Sequence, residues 1–189
     1  MKAIVVYASQ TGFTKRYAEW IAEELGCEAV PVERADGIDA GAFDAVVFGG
    51  WLHAGGLMGK KWLARARAAH PETPFVAFAV GATPPEWADM VDEALAKEFP
   101  SPEYDGVERF YLRGGFAYER LSLTNKLAMK MFFKMQEKQA ETDPRAAEML
   151  SGMRSGFDGT DRAAIAPVVA RARDLAAAKG SGQGPAARS

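Results

Sequence analysis

Three hydroxyl side chains and a glycine lie close together near the start of the chain, directly before a segment with the apolar spacing of a helix. The segment reads Ser9, Gln10, Thr11, Gly12, Phe13 and Thr14. Hydroxyl groups and the free N–H groups at a helix N-terminus together favour a bound anion. The segment therefore predicts a site for a small terminal phosphate. The alternative is that the hydroxyls only cap the helix.

This segment lacks the signatures of two common nucleotide-binding loops. It does not end in the Gly-Lys-Ser/Thr of a P-loop, and no Gly-x-Gly-x-x-Gly motif follows the first apolar run. The sequence therefore gives no support to magnesium-assisted nucleoside triphosphate chemistry. We interpret the segment as a loop that holds a phosphate with backbone and hydroxyl groups.

A glycine-rich segment at residues 49–56 contains Trp51 and His53. Glycines let the backbone approach a flat ligand closely, an indole can stack on it, and an imidazole can hydrogen-bond its edge. Trp51 could equally be a core or interface aromatic, and His53 a partly exposed loop histidine. A third segment with a glycine, residues 81–83, completes the candidate ring site.

Other reactive side chains suggest no catalytic group. The single Cys27 cannot form an internal disulfide, which favours a reducing, cytoplasmic setting, and it lacks the Cys-x5-Arg arrangement of a low-molecular-weight phosphatase. No aspartate cluster follows the first apolar run, which excludes a response regulator. Asp89, Asp92 and Glu93 have the spacing of a solvated helix face. We predict no metal site.

Near-continuous apolar runs, typical of buried parallel strands, precede these segments. Strands are predicted at residues 3–7, 29–32, 45–48, 75–80 and 107–112, and helices at 14–25, 58–69, 86–99, 120–138 and 161–179. The alternation predicts an α/β fold with a doubly wound, five-stranded parallel sheet in the order 2-1-3-4-5. Ligands bind such sheets at the carboxyl ends of the strands, so the three segments should converge there.

One connection is far longer than the usual two to six residues. It spans about residues 114–158 and interrupts a single domain predicted at 1–179, before a disordered tail at 180–189. Within it we predict a helix with lysines at four-residue spacing beside an apolar face. The lysines are Lys126, Lys130, Lys134 and Lys138, and the apolar face is Leu127, Ala128, Met131, Phe132 and Met135.

The 189 residues carry a net charge of −2, which gives no general field for nucleic acid. No apolar run is long enough to cross a bilayer. Residues 113–138, however, have six basic and two acidic side chains. This local excess predicts peripheral membrane contact through the lysine-bearing helix. The alternative is that its apolar side packs on the sheet edge while the lysines are solvated.

Two stretches resemble the flavodoxin superfamily. Residues 5–14 are similar to the FMN-phosphate loop of flavodoxins, and residues 43–50 to their third strand. The long segment before the last helix is similar to the menaquinone-dependent protoporphyrinogen oxidase type; it includes Met129-Lys130-Met131 and Glu141-Thr142-Asp143. The resemblance implies that residues 9–14 surround the FMN phosphate. It also implies that the flavin ring is flanked by Gly50, Trp51, Leu52, His53, Ala54, Gly81, Ala82 and Thr83.

The resemblance implies an FMN-dependent oxidoreductase with a quinone or another small-molecule redox substrate. We favour a quinone-linked or protoporphyrinogen-type dehydrogenase, because the long segment would roof the site. Residues 113–120 are less basic and less aromatic than in the porphyrinogen-oxidase pattern. One alternative is a flavodoxin that carries electrons between protein partners, although such carriers tend to be strongly acidic. Another is a flavodoxin-like protein that has lost FMN.

Overall fold

The computed structural model describes residues 1–53 and 56–181. The helices are α1 (Phe13–Leu25), α2 (Lys60–Ala69), α3 (Ala88–Glu98), α4 (Leu123–Ala140), α5 (Pro144–Ser155) and α6 (Ala166–Gly180). The strands are β1 (Ala3–Tyr7), β2 (Glu28–Pro31), β3 (Ala45–His53), β4 (Gly56–Leu57), β5 (Phe75–Gly81), β6 (Glu108–Arg113), β7 (Gly115–Phe116) and β8 (Phe157–Asp158). The predicted alternation of strands and helices is confirmed.

The main sheet has the order β2-β1-β3-β5-β6 with parallel pairing throughout, which confirms the predicted topology. Helices cover both faces. On one face, Tyr17 and Ile21 of α1 and Val168 of α6 pack in a core with residues of the central strands. On the other, Trp62 and Leu63 of α2 pack in a second core. Strands buried on both sides must be apolar along their whole length, which is why their sequences do not alternate.

Strand β3 is longer than predicted, because the glycine pair at 49–50 lies inside it rather than in a loop. A Cβ on Gly49 would lie 2.1 Å from Cζ of Phe78, and one on Gly50 would lie 2.5 Å from the Met58 carbonyl oxygen. The pairing with β5 continues through Trp51 opposite Val80. The chain then turns back so that β4 pairs antiparallel with the end of β3. These two glycines serve close packing, not chain reversal.

The long connection folds into two helices and a short ribbon, whereas one helix was predicted. Strands β7 and β8 pair antiparallel and close its base. Helix α5, which the prediction lacked, begins at an Asp-Pro signal. The Asp143 carboxylate accepts a hydrogen bond from the Arg145 N–H at 2.9 Å, and Pro144 occupies the first turn, where its missing N–H costs nothing.

The Tyr17 hydroxyl joins both ends of this connection to α1. It donates to the Arg113 carbonyl at 2.7 Å and accepts from the Asp161 N–H at 3.0 Å. Burial raises the pKa of Tyr17, so the hydroxyl stays protonated and keeps its donor role. The connection therefore leaves and returns to the fold at one point, without disturbing the sheet.

Two further boundaries differ from the prediction. The last helix begins at Ala166, after a 3-10 turn at Arg162–Ile165, and it includes Gly180, the first residue of the predicted tail. Residues 182–189 of that tail lie outside the described residues. Within the described part of the chain, no helix is long and apolar enough to cross a membrane.

A buried carboxylate on α3 holds the β3–β4 hairpin in place. Glu98, at the end of α3, is 5% exposed and accepts hydrogen bonds from the Leu57 N–H at 2.8 Å and from Lys60 Nζ at 2.7 Å. Burial acts to raise the pKa of Glu98, but the hydrogen bonds from Lys60 and Leu57 outweigh it and lower the pKa overall. The ionised carboxylate is therefore the form that holds the hairpin.

We expect Glu98→Gln to lower the free energy of unfolding at pH 7 by about 1 to 3 kcal/mol, because Lys60 loses its countercharge. A lowered folded-state pKa stabilises the protein above the unfolded value of about 4.3, and this stabilisation is lost as the pH falls through the folded value. The gap between wild type and variant should therefore narrow at acid pH. Urea unfolding at pH 7 and pH 4 measures both effects.

The control is Glu93→Gln on the exposed side of the same helix, which should change stability by less than about 0.5 kcal/mol. A Glu98→Gln variant as stable as wild type at pH 7 would show that the carboxylate does not hold the hairpin.

Candidate functional site

Three segments meet at the carboxyl edge of the sheet, as predicted. The Ala8 N–H, after β1, donates to the Gly49 carbonyl in β3 at 2.8 Å. A Cβ on Gly59, three residues after the second segment, would lie 2.7 Å from Cβ of Ala8, the residue before the first segment, so the chain is also closely packed here. A Cβ on Gly81 would lie 3.1 Å from Cδ1 of Leu52, which places the third segment against the second.

Helix α1 begins at this edge without a side-chain cap. Its N-cap is Gly12, in the left-handed conformation with φ of 98°, and this residue has no side chain to accept from the first turn. Hydroxyl side chains therefore do not cap this helix, and the capping alternative is wrong. The leading N–H groups of a helix lack intrahelical partners. They are available to an anion, and Thr14, which is 1% exposed, lies buried in this first turn.

The Ser9 hydroxyl, like the first N–H groups of α1, is a polar group at this edge that a ligand could pair. Its Oγ is buried and, among the described residues, makes no hydrogen bond. A buried hydroxyl without a partner costs about 1 to 3 kcal/mol, so such groups are rare unless a ligand satisfies them. A phosphate oxygen accepts from a hydroxyl and from helix N–H groups alike. The first segment therefore fits a bound phosphate.

The second segment presents its aromatic groups at the end of β3. Trp51 is half-buried, and its ring meets that of His53 edge-on, with centroids 5.1 Å apart. Gly50 is buried, Leu52 is half-buried and His53 is exposed. Ala54 lies outside the described residues. The indole therefore lies at the end of β3, near the place where the three segments meet, and the β3–β4 hairpin fixes its backbone.

The third segment is held by a tyrosine that sequence reasoning missed. Tyr111 of β6 donates from its hydroxyl to the Thr83 carbonyl at 2.8 Å, and burial raises its pKa. The Gly114 N–H donates to the Gly81 carbonyl at 2.7 Å. Gly81, Ala82 and Thr83 are half-buried. Nothing in the sequence marked Tyr111 beyond an aromatic residue in a predicted strand.

The start of α4 contacts the first segment through polar side chains, a feature that the sequence did not indicate. Arg120 Nη1 donates to the Thr11 carbonyl at 3.2 Å. Asn125 Nδ2 donates to Gln10 Oε1 at 2.9 Å, and Gln10 Nε2 donates to Ser122 Oγ at 3.4 Å. The Gln10 side chain is therefore turned toward the long connection. Its role toward a phosphate would be through its backbone.

Two cavities adjoin the site. One of about 320 Å³ lies between α5 and the third segment, and its walls include Ala82, Pro84, Trp87, Arg113, Met149 and Phe157. The guanidinium of Arg113 stands 5.3 Å from the centre of the Phe157 ring, and its Nε is buried with no hydrogen bond among the described residues. The other cavity, of about 420 Å³, lies between Phe13 and the base of the long connection.

This chain is similar to several solved structures at low identity. An FMN-bound flavoprotein from Lactobacillus acidophilus is 18% identical, with a TM-score of 0.43 over 59% of this chain and 92% of that one. A WrbA-like flavodoxin from Agrobacterium tumefaciens is 18% identical, with a TM-score of 0.39 over 90% and 98%. The flavodiiron protein of Giardia intestinalis is 14% identical, with a TM-score of 0.44 over 97% of this chain and 38% of its own.

A search of curated proteins finds no significant match. The family model described as the flavodoxin domain matches residues 4–143, which is most of the chain. The matched range contains all three segments of the site and the whole of α4. This chain therefore belongs to the flavodoxin domain family.

Proposed function

We propose that this protein is an FMN-dependent oxidoreductase, with one domain over residues 1–179 that acts in the cytoplasm. FMN is the cofactor that the family assignment supports. The observation that carries the proposal is the buried Ser9 hydroxyl, which has no hydrogen-bond partner among the described residues, beside the start of α1, which has no side-chain cap. When bound, FMN supplies hydride or electron transfer at its N5 atom. The protein binds, orients and shields it.

The phosphate is assigned to the first segment. The hydroxyls of Ser9, Thr11 and Thr14 and the N–H groups around Gly12 are its proposed donors, and Gln10 and Phe13 contribute backbone. Gly12 allows the left-handed backbone conformation at the start of α1. The Phe13 side chain is buried in the core and anchors the turn.

The flavin ring is assigned to the second and third segments. The residues proposed to flank it are Gly50, Trp51, Leu52, His53, Ala54, Gly81, Ala82 and Thr83. Glu98 holds the β3–β4 hairpin and Tyr111 holds the Thr83 carbonyl, so the backbone groups that would face the ring are supported before it binds. We propose that the Trp51 indole stacks on one ring face; the alternative is that it serves only as a packing aromatic.

The substrate is a quinone or a protoporphyrinogen-type molecule, in the reading that we favour. The long connection forms a two-helix cover, and the cavity of about 320 Å³ lies between that cover and the third segment. A carrier that only exchanges electrons with proteins has no need of a cavity beside its ring site. The alternative remains a flavodoxin that passes electrons between protein partners.

We expect the protein to bind FMN at least tenfold more tightly than riboflavin, because each lost charge-assisted hydrogen bond to phosphate costs about 1.5 to 3 kcal/mol. Quenching of flavin fluorescence during titration measures both dissociation constants. Equal affinities for the two flavins would contradict the phosphate assignment. No binding of either flavin would favour the alternative that the cofactor has been lost.

We expect dithionite-reduced holoprotein to reduce menadione, a soluble quinone, in an anaerobic stopped-flow experiment, with a rate that saturates as menadione increases. Saturation indicates a binding site, which a cavity beside the ring would provide. Matched turnover assays with protoporphyrinogen test the second substrate class. A rate that stays linear with every small molecule, together with fast electron transfer to a redox protein, would favour the carrier alternative.

Helix α4 leaves an apolar stripe in solvent. Leu123, Leu127, Met131 and Met135 are between 64% and 86% exposed. Phe133, on the opposite side, meets the Phe116 ring edge-on and stacks with the Tyr118 ring. Among the described residues, the main packing partner of this helix is α5 and not a strand of the main sheet. Lys130, Lys134 and Lys138 are exposed and border the stripe. Lys126 instead pairs with Glu119 and lies over the Tyr118 ring.

We propose that this stripe contacts an anionic lipid surface, because lysines beside exposed apolar side chains complement acidic headgroups above acyl chains. Each basic residue near such a surface contributes about 1 kcal/mol. Replacing Lys130, Lys134 and Lys138 by glutamine should weaken binding to anionic vesicles by about 100-fold at low salt. Sedimentation with anionic and neutral vesicles across a salt series measures the effect.

The control replaces three exposed basic residues elsewhere, Arg34, Lys61 and Lys97, by glutamine and should retain most of the binding. If the wild-type protein does not sediment with anionic vesicles at low ionic strength, the lipid contact is ruled out. Equal losses of vesicle binding in both triple variants would show that binding depends on the net charge of the protein and not on the lysines beside the stripe.

A further inference from the structure

Arg120 lies where the long connection reaches the first segment. It ends the 3-10 turn Tyr118–Arg120, which leads into α4. Its Nη1 donates to the Thr11 carbonyl at 3.2 Å, and a Cβ on Gly12 would lie 3.9 Å from the same nitrogen. The guanidinium is therefore held against the loop that begins α1.

The other charged groups around this point are already paired. Lys15 pairs with Glu19, and Arg16 pairs with Asp158 at 2.6 Å. Glu119, next to Arg120, pairs instead with Lys126 at 3.5 Å. Within the described part of the chain, Arg120 forms no ion pair. It is thus the cation at this loop whose charge is left uncompensated.

The first segment itself contains no basic residue. Its hydroxyls and N–H groups can donate hydrogen bonds to a phosphate but cannot neutralise a dianion. A guanidinium has five N–H donors in a planar fork that matches phosphate oxygens. The bond from Arg120 to Thr11 uses one of these donors and leaves the others for a ligand.

We propose that Arg120 binds the FMN phosphate directly, so that the long connection supplies the charged ligand that the first segment lacks. This inference rests on the proposed function. The contacts of Ser122 and Asn125 with Gln10 hold the start of α4 beside the same loop. Phosphate binding at Arg120 would therefore also order the first turn of α4.

The experiment titrates FMN and riboflavin into wild type, Arg120→Gln, Arg120→Lys and a control, Arg154→Gln. Arg154 belongs to the same connection but pairs with Glu137, so its replacement removes the same charge without touching the loop. We expect Arg120→Gln to raise the FMN dissociation constant about tenfold, the lower end for an exposed charge-assisted bond, and to leave riboflavin within about twofold. Arg120→Lys should recover part of the loss, and Arg154→Gln should match wild type.

Amide hydrogen exchange provides a second readout. FMN, but not riboflavin, should slow exchange in the first turn of α4 in wild type, and this difference should vanish in Arg120→Gln. Unchanged FMN affinity in Arg120→Gln, or equal weakening of both flavins, would overturn the proposal while leaving FMN binding intact. If wild type binds neither flavin, the proposed function itself fails.

Discussion

Helix α1 starts on a glycine, and this leaves its first N–H groups without a side-chain partner at the edge where the central strands end. The buried Ser9 hydroxyl at the same edge also has no hydrogen-bond partner in the described part of the chain. Polar groups in this state are costly unless a ligand pairs them. These groups therefore lower the stability of the folded state. A ligand that binds only the folded state raises that stability again by mass action. The other features of the site follow from keeping this edge open.

Keeping this edge open requires that neighbouring elements support the segments that border it. The hairpin of β3 and β4 is held by Glu98 from α3, and the segment after β5 by Tyr111 from β6. Neither side chain comes from the segments that face the edge. Glu98 lies in a helix layer and Tyr111 in the strand beside β5, so the segments can present backbone groups without collapsing into the space they border. The packing of the Phe78 ring against Gly49 acts in the same direction, because it keeps β3 and β5 close up to their ends.

Local patterns were sufficient for the sheet but not for the site. Apolar runs such as residues 3–7 predict buried parallel strands, because a strand covered on both faces can have little else. The pair Gly49 and Gly50 was misread as a loop, since the sequence does not show that Phe78 and Met58 occupy the missing Cβ positions. Glu98 and Arg120 were missed for a related reason. Their partners are 41 and 109 residues away, and only the tertiary fold brings them together. Helix α5 is different, because Asp143 and Pro144 were a readable start signal.

The long connection links the cofactor edge to a surface of different chemistry. The β7–β8 pairing and the Tyr17 hydroxyl hold the two ends of this connection together, so the positions where its two helices begin and end are fixed. Helix α4 has 18 residues and is therefore about 27 Å long. Its exposed stripe begins at Leu123, three residues after the arginine that touches the first segment. In the proposed arrangement, the turn that leads into α4 thus carries the cofactor contact, and the helix carries the lipid contact along its length. A lipid-dissolved substrate would then meet the site edge at the bilayer surface, without leaving the membrane for bulk water.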